Sequence, residues 1–273
     1  MNNWVFDIEG VDCSGKATLV KKLVRLLKNT PELESRKIIS VDFPQYDTPT
    51  GRLIKNYLNG DIPEPQEYSD GDTMELRSWK MASNMSWIAE LFMLNRSAYF
   101  AEHPLEYDAI YIFDRYVYSN VIHQFAKLTD YLETPDAVAA MYATSKRKYP
   151  NESIDRICDK YKLCAYHGIV DKWLDMEWMV SPKPDRVFVL NVPAEVIHSR
   201  LRSRKVSKHE GDDILEKDVA VNRSINFVSW WYSMVKSMEL DDDKLWFVDY
   251  VDNDMLKTIY EHILKDMHIA TRS

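Results

Sequence analysis

The residues with the clearest chemical meaning lie near the N-terminus. Gly10-Val-Asp12-Cys13-Ser14-Gly15-Lys16 spells glycine, four residues, glycine, lysine. It follows the apolar run Trp4–Ile8 and opens Lys16–Leu27, where Leu19, Val20, Leu23, Leu26 and Leu27 recur at helical spacing. Such a loop cradles phosphate. Glycine lets the backbone turn and approach a ligand closely, and successive N–H groups with the helix N-terminus present partial positive charge. The lysine adds a full charge at the β- and γ-phosphates of a nucleoside triphosphate. Gly10, Cys13, Ser14, Gly15, Lys16, Ala17 and Thr18 are therefore the expected contacts of an ATP-type donor, and phosphoryl transfer is the expected chemistry. After the lysine, a Ser or Thr hydroxyl would bind Mg²⁺ directly; here the residue is Ala17. Thr18 lies about 100° further round the helix and does not replace it. Either Mg²⁺ is held through water and carboxylates, or transfer is impaired.

Other residues suit the acceptor side. Asp12 would place a carboxylate between donor and acceptor phosphates. Asp114 ends an apolar run, at a strand end where doubly wound folds keep their ligand crevice; it can hold water on Mg²⁺ or order Arg115. Arg115 offers a planar fork for the acceptor phosphate. Phe92 and Arg96 are four apart on a helical pattern and share a face; taken alone they read as a core aromatic beside a surface arginine. Asn120 carries an amide that both donates and accepts. Phe43, Pro44 and Tyr46 close a strand with aromatic bulk. Arg200, Arg202, Arg204, Lys205 and Lys208 form a basic cluster, read either as a solvated face or as a lid that brings positive charge where charge shifts during transfer.

These residues need a frame. Trp4–Ile8, Ile38–Phe43, Ala109–Phe113, Arg186–Val192 and Leu245–Val248 read as buried strands, because near-continuous apolar runs suit a parallel sheet covered on both faces. Helical patterns lie at Lys16–Leu27, Thr50–Leu58, Thr73 to about Ala101, Tyr118–Lys127, Ala194–Arg204, Ile214–Met238 and Asp254–Met267. The alternation predicts an α/β fold: a P-loop NTPase-type doubly wound five-stranded parallel sheet flanked by helices. A single domain spans 1–273, with a helical insertion at about 128–172 and a lid at about 200–213.

Composition limits the partners. The chain has 273 residues, 45% of them hydrophobic, which suffices for one large core. Its formal charge is −8, which argues against broad nucleic-acid binding but not against a small anionic ligand held by local cations. No signal peptide or membrane span is read. Three cysteines fit a reduced, cytoplasmic protein. Cys158, Cys164 and His167 lack the fourth ligand and the spacing of a zinc site and read as packed side chains.

Six motifs in order carry a resemblance. Glu9–Thr18, Asp42-Phe-Pro-Gln-Tyr46 with Thr50-Gly51-Arg52, Leu91-Phe92-Met-Leu-Asn95-Arg96, Asp114-Arg115-Tyr116-Val-Tyr-Ser119-Asn120, Pro182-Lys-Pro-Asp185 and Asp213-Ile-Leu-Glu216 together resemble the thymidylate kinase family. The resemblance implies ATP, with Mg²⁺, phosphorylating dTMP to dTDP. It implies that Phe92 stacks on the pyrimidine, that Arg96 reads its O4 edge, and that Asp12 meets the sugar 3′-hydroxyl. Phe43, Tyr46, Arg52, Arg115, Ser119, Asn120, His123 and Glu216 complete the implied acceptor site, and Asp114 the metal site, through water. His123 departs from the family, where a Tyr often crowds the ribose 2′ position. Cys13 stands where some members carry an arginine inside the loop, which moves the expected catalytic cation to Arg204 or Arg202. A homodimer is implied. A deoxynucleoside kinase, a kinase for a modified deoxypyrimidine monophosphate, and a catalytically weak nucleotide-binding protein are the alternatives.

Overall fold

The computed structural model describes residues 3–67, 69–124, 126, 173–207, 218–237, 245–250 and 254–269. The expected insertion at 128–172, residues 208–213 of the expected lid, Cys158, Cys164, His167 and Glu216 lie outside the described residues.

Five strands, β1 (Trp4–Gly10), β2 (Lys37–Asp42), β3 (Ala109–Asp114), β4 (Arg186–Asn191) and β5 (Leu245–Asp249), form one sheet in the order β2-β3-β1-β4-β5. Every pairing is parallel. The helices are α1 (Lys16–Lys28), α2 (Pro49–Leu58), α3 (Met74–Glu102), α4 (Val117–His123), α5 (Ala194–Ser207), α6 (Asp218–Ser237) and α7 (Met255–Asp266), with a further helical stretch at 173–180. All five expected strands form.

Strand side chains alternate between two cores. Phe6, Ile8, Ile110 and Ile112 meet Leu23 and Leu27 of α1 and Ile259 and Ile263 of α7 on one face. Val5, Val41, Tyr111 and Phe113 meet Met85 and Ala89 of α3, Val117 and Val121 of α4 and Phe227 of α6 on the other. Each fully buried aliphatic side chain contributes about 1.5–3 kcal/mol. The apolar run of β1 is broken on that second face by Asp7 and Glu9, both fully buried.

The topology brings the chemistry to one edge. From β1 the chain moves to β2 and β3 on one side, then crosses to β4 and β5 on the other, so the order reverses beside β1. The crevice at the carboxyl ends of the strands opens there, and Gly10, Asp42 and Asp114 end the three strands that border it.

Candidate active site

The loop between β1 and α1 is shaped by backbone. Gly10 and Gly15 have φ of 148° and 98°, values that L side chains rarely adopt. A Cβ at Gly10 would lie 3.1 Å from Leu190 Cβ and 3.2 Å from Ser14 Oγ. Helix α1 has no side-chain cap, so its first N–H groups stay available to an anion. Lys16 is buried and its Nζ donates to the carbonyls of Gly10 (2.5 Å) and Val11 (3.0 Å). Burial, joined by Arg115 and opposed by Asp12, Asp114 and Glu9, lowers its pKa to about 8. Cys13, Ser14, Gly15, Lys16, Ala17 and Thr18 line a cavity of about 400 Å³ with Asp114, Arg115, Arg200 and Arg204.

A second cavity, of about 270 Å³, adjoins it. Phe43, Pro44, Tyr46, Phe92 and Tyr116 give it aromatic and apolar walls; Asp12, Asp42, Asp114, Arg115, Ser119, Asn120, His123, Gln124 and Arg204 supply polar groups. Ala17, Asp114, Arg115 and Arg204 border both cavities. Four residues thus stand where a donor and an acceptor would meet.

Asp12 and Arg115 form an ion pair across this junction. Burial alone would raise the Asp12 pKa, but Arg115, helped by His123 and Lys16, outweighs it and holds the carboxyl below the usual range. Arg115 sits at φ 62°, a left-handed conformation uncommon outside glycine that turns the chain sharply as β3 ends. Asp114 is nearly buried, and burial raises its pKa against the pull of Lys16 and Arg115. Its Oδ1 has no hydrogen-bond partner among the described residues.

The walls are set by residues outside them. Asn95 of α3 accepts from Gln45 N (2.7 Å) and donates to Gln45 O (3.2 Å), Thr48 Oγ1 (2.9 Å) and Thr50 Oγ1 (3.0 Å). This ties down the loop that carries Pro44 and Tyr46. The same loop passes so close to α2 that a Cβ at Gly51 would fall 1.8 Å from Gln45 O; the glycine of Thr50-Gly51-Arg52 is therefore a packing requirement. Glu9 accepts from Ser119 N (2.8 Å) and Ser119 Oγ (2.5 Å), which joins β1 to α4. Asp185 of the Pro182-Lys-Pro-Asp185 segment accepts from Val5 N (2.8 Å) and registers β4 beside β1.

Several expected residues stand elsewhere. Arg96 does not line the cavity: its Nε and Nη2 donate to Glu177 at 2.7 Å each, and Nη1 reaches Tyr116 O at 3.4 Å. The side chains of Arg96 and Glu177 are 1% and 0% exposed. Against the expectation of a base-edge contact, the Arg96 fork is filled in this structure by a carboxylate 81 positions later. Arg52 is exposed, donates to Asp47 O at 2.9 Å and is absent from both cavity walls. Arg202 is exposed on α5 and lines neither cavity, while Arg204 borders both. Residues 200–207 of the expected lid are the last turns of α5. Ser119 lines the cavity but gives its hydroxyl to Glu9.

Sequence reasoning missed Arg200, Gln124 and Asn95 as site residues. Arg200 Nη1 donates to Ser14 O at 2.6 Å and its guanidinium lies 5.5 Å over the Tyr250 ring. Helical spacing from Arg204 pointed to it. Gln124 follows Asn120 by four residues, and that spacing was the available signal.

A family model described as thymidylate kinase matches residues 8–139. The chain is 24% identical to a probable thymidylate kinase of Thermococcus kodakarensis over 264 residues, 92% of this chain and 95% of the relative. It is 26% identical over 189 residues to a thymidylate kinase of Dictyostelium discoideum, covering 63% of this chain and 74% of that one. A solved thymidylate kinase structure from Candida albicans covers 97% of this chain and 93% of its own, with TM-score 0.58 at 19% identity; that likeness shows a shared fold.

Proposed function

We propose that the chain is a member of the thymidylate kinase family, which its matches to that family support, and that it transfers the γ-phosphoryl group of ATP to dTMP, giving ADP and dTDP. The carrying observation is the shared wall. A phosphate-binding cavity and an aromatic-walled cavity meet at Asp114, Arg115 and Arg204. Two cations at that junction suit two phosphates brought end to end.

In this reading Lys16 and the uncapped N-terminus of α1 hold the donor phosphates. Arg115 grips the acceptor phosphate, and Asp12 keeps its guanidinium oriented. Arg204 neutralises charge on the transferring group. Phe92, packed against the buried cluster of α2 and α3 that contains Ile54, Tyr57, Leu58 and Ile88, offers its ring to the base, while Tyr46 and Phe43 shape the far wall. Asn120 faces the base or sugar. No general base is required, because the attacking phosphate oxygen is already an anion; positioning and charge neutralisation carry the rate. A nucleoside acceptor would need a carboxylate near its 5′-hydroxyl. Glu9 lines neither cavity and is committed to Ser119, and Asp12 is held by Arg115. The geometry therefore favours a monophosphate.

Mg²⁺ would be held through the phosphates and through water on Asp114, a residue that borders both cavities. Bound there, it would neutralise charge on the β- and γ-oxygens. Ala17 adds no oxygen to that set. Among the described residues no helix is long and apolar enough to cross a membrane, and a cytoplasmic, homodimeric enzyme completes the reading.

The test is ADP release from ATP and Mg²⁺ with dTMP, with thymidine and with no acceptor. Acceptor-dependent release with dTMP supports the proposal. Release with thymidine alone would make the chain a nucleoside kinase. Tight ATP binding without turnover would make it a binding protein, the reading that Ala17 favours.

A further inference from the structure

One fully buried acid takes no part in holding either nucleotide. Asp7 stands in the apolar run of β1, and neither of its carboxyl oxygens has a hydrogen-bond donor among the described residues. It lines neither cavity. An unpaired carboxylate is strongly disfavoured in such a place. An uncharged carboxylic acid is tolerated there, provided that its hydroxyl finds an acceptor.

The acceptor is on the same strand. Residues two apart on a strand face the same side, and Glu9, also fully buried, has its carboxyl within hydrogen-bonding reach of Asp7. Two carboxylates have no proton to share; a carboxylic acid beside a carboxylate has one. Arg96 acts on Asp7 through its charge, but its Nε and Nη2 are given to Glu177 and its Nη1 reaches Tyr116 O. Tyr116, which feels the Asp7 charge, gives its hydroxyl to Pro182 O. Asp114 pairs with Ile8 and Asp7 with Phe113, so these two acids lie on opposite faces of the sheet.

Glu9 is the member of the pair that keeps its charge. It accepts from Ser119 N and Ser119 Oγ. Ser119 N is among the first N–H groups of α4, whose N-cap residue, Tyr116, supplies no side-chain cap. A carboxylate suits that end of a helix. Burial and Asp114 push the Glu9 carboxyl up, while the Ser119 bonds and Lys16 pull it back. At Asp7 burial is joined by Glu9 and Asp114 and opposed by Arg96 alone, which holds the carboxyl well above the usual carboxylate range.

We infer that Asp7 is a positioning residue for the acceptor site: as a neutral acid it donates its proton to Glu9, and Glu9 in turn holds the first turn of α4 through Ser119. Helix α4 brings Ser119, Asn120 and His123 to the acceptor cavity. Asp7 and Glu9 touch no nucleotide; they fix the helix whose side chains do. An acid in the middle of an apolar strand thereby acquires a purpose that packing does not give it. The acceptor-side role rests on the proposed monophosphate kinase activity, whereas the shared proton is a property of the free chain.

The test has a ligand-free arm and a kinetic arm. At neutral pH, the infrared difference spectrum of the wild-type chain minus Asp7→Asn should show the carbonyl band of one protonated carboxyl. Absence of that band would overturn the inference, and the reading needs no variant beyond Asp7→Asn. In steady-state kinetics Asp7→Leu, which fills the space and donates nothing, should raise the KM for dTMP about tenfold, the worth of one hydrogen bond to a charged group, with the KM for ATP unchanged. Asp7→Asn keeps an N–H donor and should return most of that loss. An unchanged KM for dTMP in Asp7→Leu would overturn the positioning role and leave the kinase reading intact. So would equal losses in the Leu and Asn variants, or equal rises in both KM values, either of which would make Asp7 a packing element. Turnover of no dTMP by the wild-type chain would overturn the kinase reading and the acceptor-side role with it.

Discussion

The donor and acceptor sides of the crevice are built by different means. On the donor side the wall is contiguous: Cys13 to Thr18 line the cavity, in a loop shaped by positive φ at Gly10 and Gly15 and by the open end of α1. The acceptor side is made of residues brought from β2, α2, α3, β3, α4, α5, the start of α1 and the loops after β1, β2 and β3. A backbone site is written in a short local motif. A side-chain site depends on partners far away in sequence. The donor side should therefore tolerate most single substitutions outside Gly10, Gly15 and Lys16, and the acceptor side should fail one residue at a time.

Arg115→Ala tests that contrast most severely. It removes a fork at the shared wall and leaves Asp12 buried without its cation. Loss of a charge-stabilising donor of this kind costs about 10²–10³ in turnover. Steady-state kinetics should place most of the loss in kcat/KM for dTMP, with the KM for ATP changing little. Arg115→Lys should restore little, because an ammonium lacks the planar fork. A comparable rise in the KM for ATP would break the division between the two sides.

Arg96→Met comes next, and its effect should fall on stability. Breaking a buried ion pair by removing one partner costs about 3–5 kcal/mol, because the remaining charge is stranded. Among the described residues, the Glu177 carboxylate would keep the bond from Ser181 Oγ, at 2.7 Å. Denaturant unfolding should show that loss, while kcat at a temperature where the variant is folded stays near the wild-type value. Intact stability with a collapsed kcat/KM for dTMP would restore Arg96 to the base edge.

That pair also marks what sequence could carry. The five strands and the phosphate loop were legible because they depend on local apolar runs, a glycine-lysine spacing and a helical repeat. The acceptor wall was legible as far as residues sit next to a strand end: Phe43, Tyr46, Asp114, Arg115, Ser119 and Asn120 all line the cavity. Arg96 was not, because its fate is decided by Glu177, from a helical stretch beyond the expected insertion. Arg52 and Arg202 stand outside both cavity walls for a simpler reason: a charged side chain on an amphipathic helix faces the cavity or solvent by a rotation that the motif does not specify. Asn95 shows the reverse. It was quoted as motif and read for nothing, yet its four hydrogen bonds hold the loop that makes the wall.

The titration of Lys16 sharpens the donor side. With its pKa lowered to about 8, the free enzyme loses that charge as pH rises through 8. Measured across pH 6.5–9.5, kcat/KM for ATP should fall with an apparent pKa near 8, by about tenfold per pH unit once past it. Stability should move the other way. Between about 8 and the ordinary lysine value of 10.5, the unfolded chain binds more protons than the folded one, so the Lys16 contribution to stability rises with pH in that window. His123, lowered to about 4, should add no inflection between pH 5 and 7. An inflection near 6.5 that vanishes in His123→Gln would mean that the ring is solvated.

The smallest expected effect is at Ala17, where donor and acceptor sides touch. Ala17 is exposed at the start of α1 and borders both cavities, so a hydroxyl there has room and meets no buried core. Ala17→Ser adds one neutral oxygen to a set that otherwise relies on Asp114 and the phosphates. A hydrogen-bond-scale gain of about 0.5–1.5 kcal/mol predicts a severalfold fall in the Mg²⁺ concentration for half-maximal rate, with little change in the KM for dTMP. Substituting the neighbour instead, Thr18→Ala, should leave the Mg²⁺ requirement where it was, because Thr18 lines the phosphate cavity but not the shared wall. A large Mg²⁺ effect at Thr18 with none at Ala17 would move the metal away from Asp114 and out along α1, and the junction of the two sides would then be organised by Arg115 and Arg204 alone.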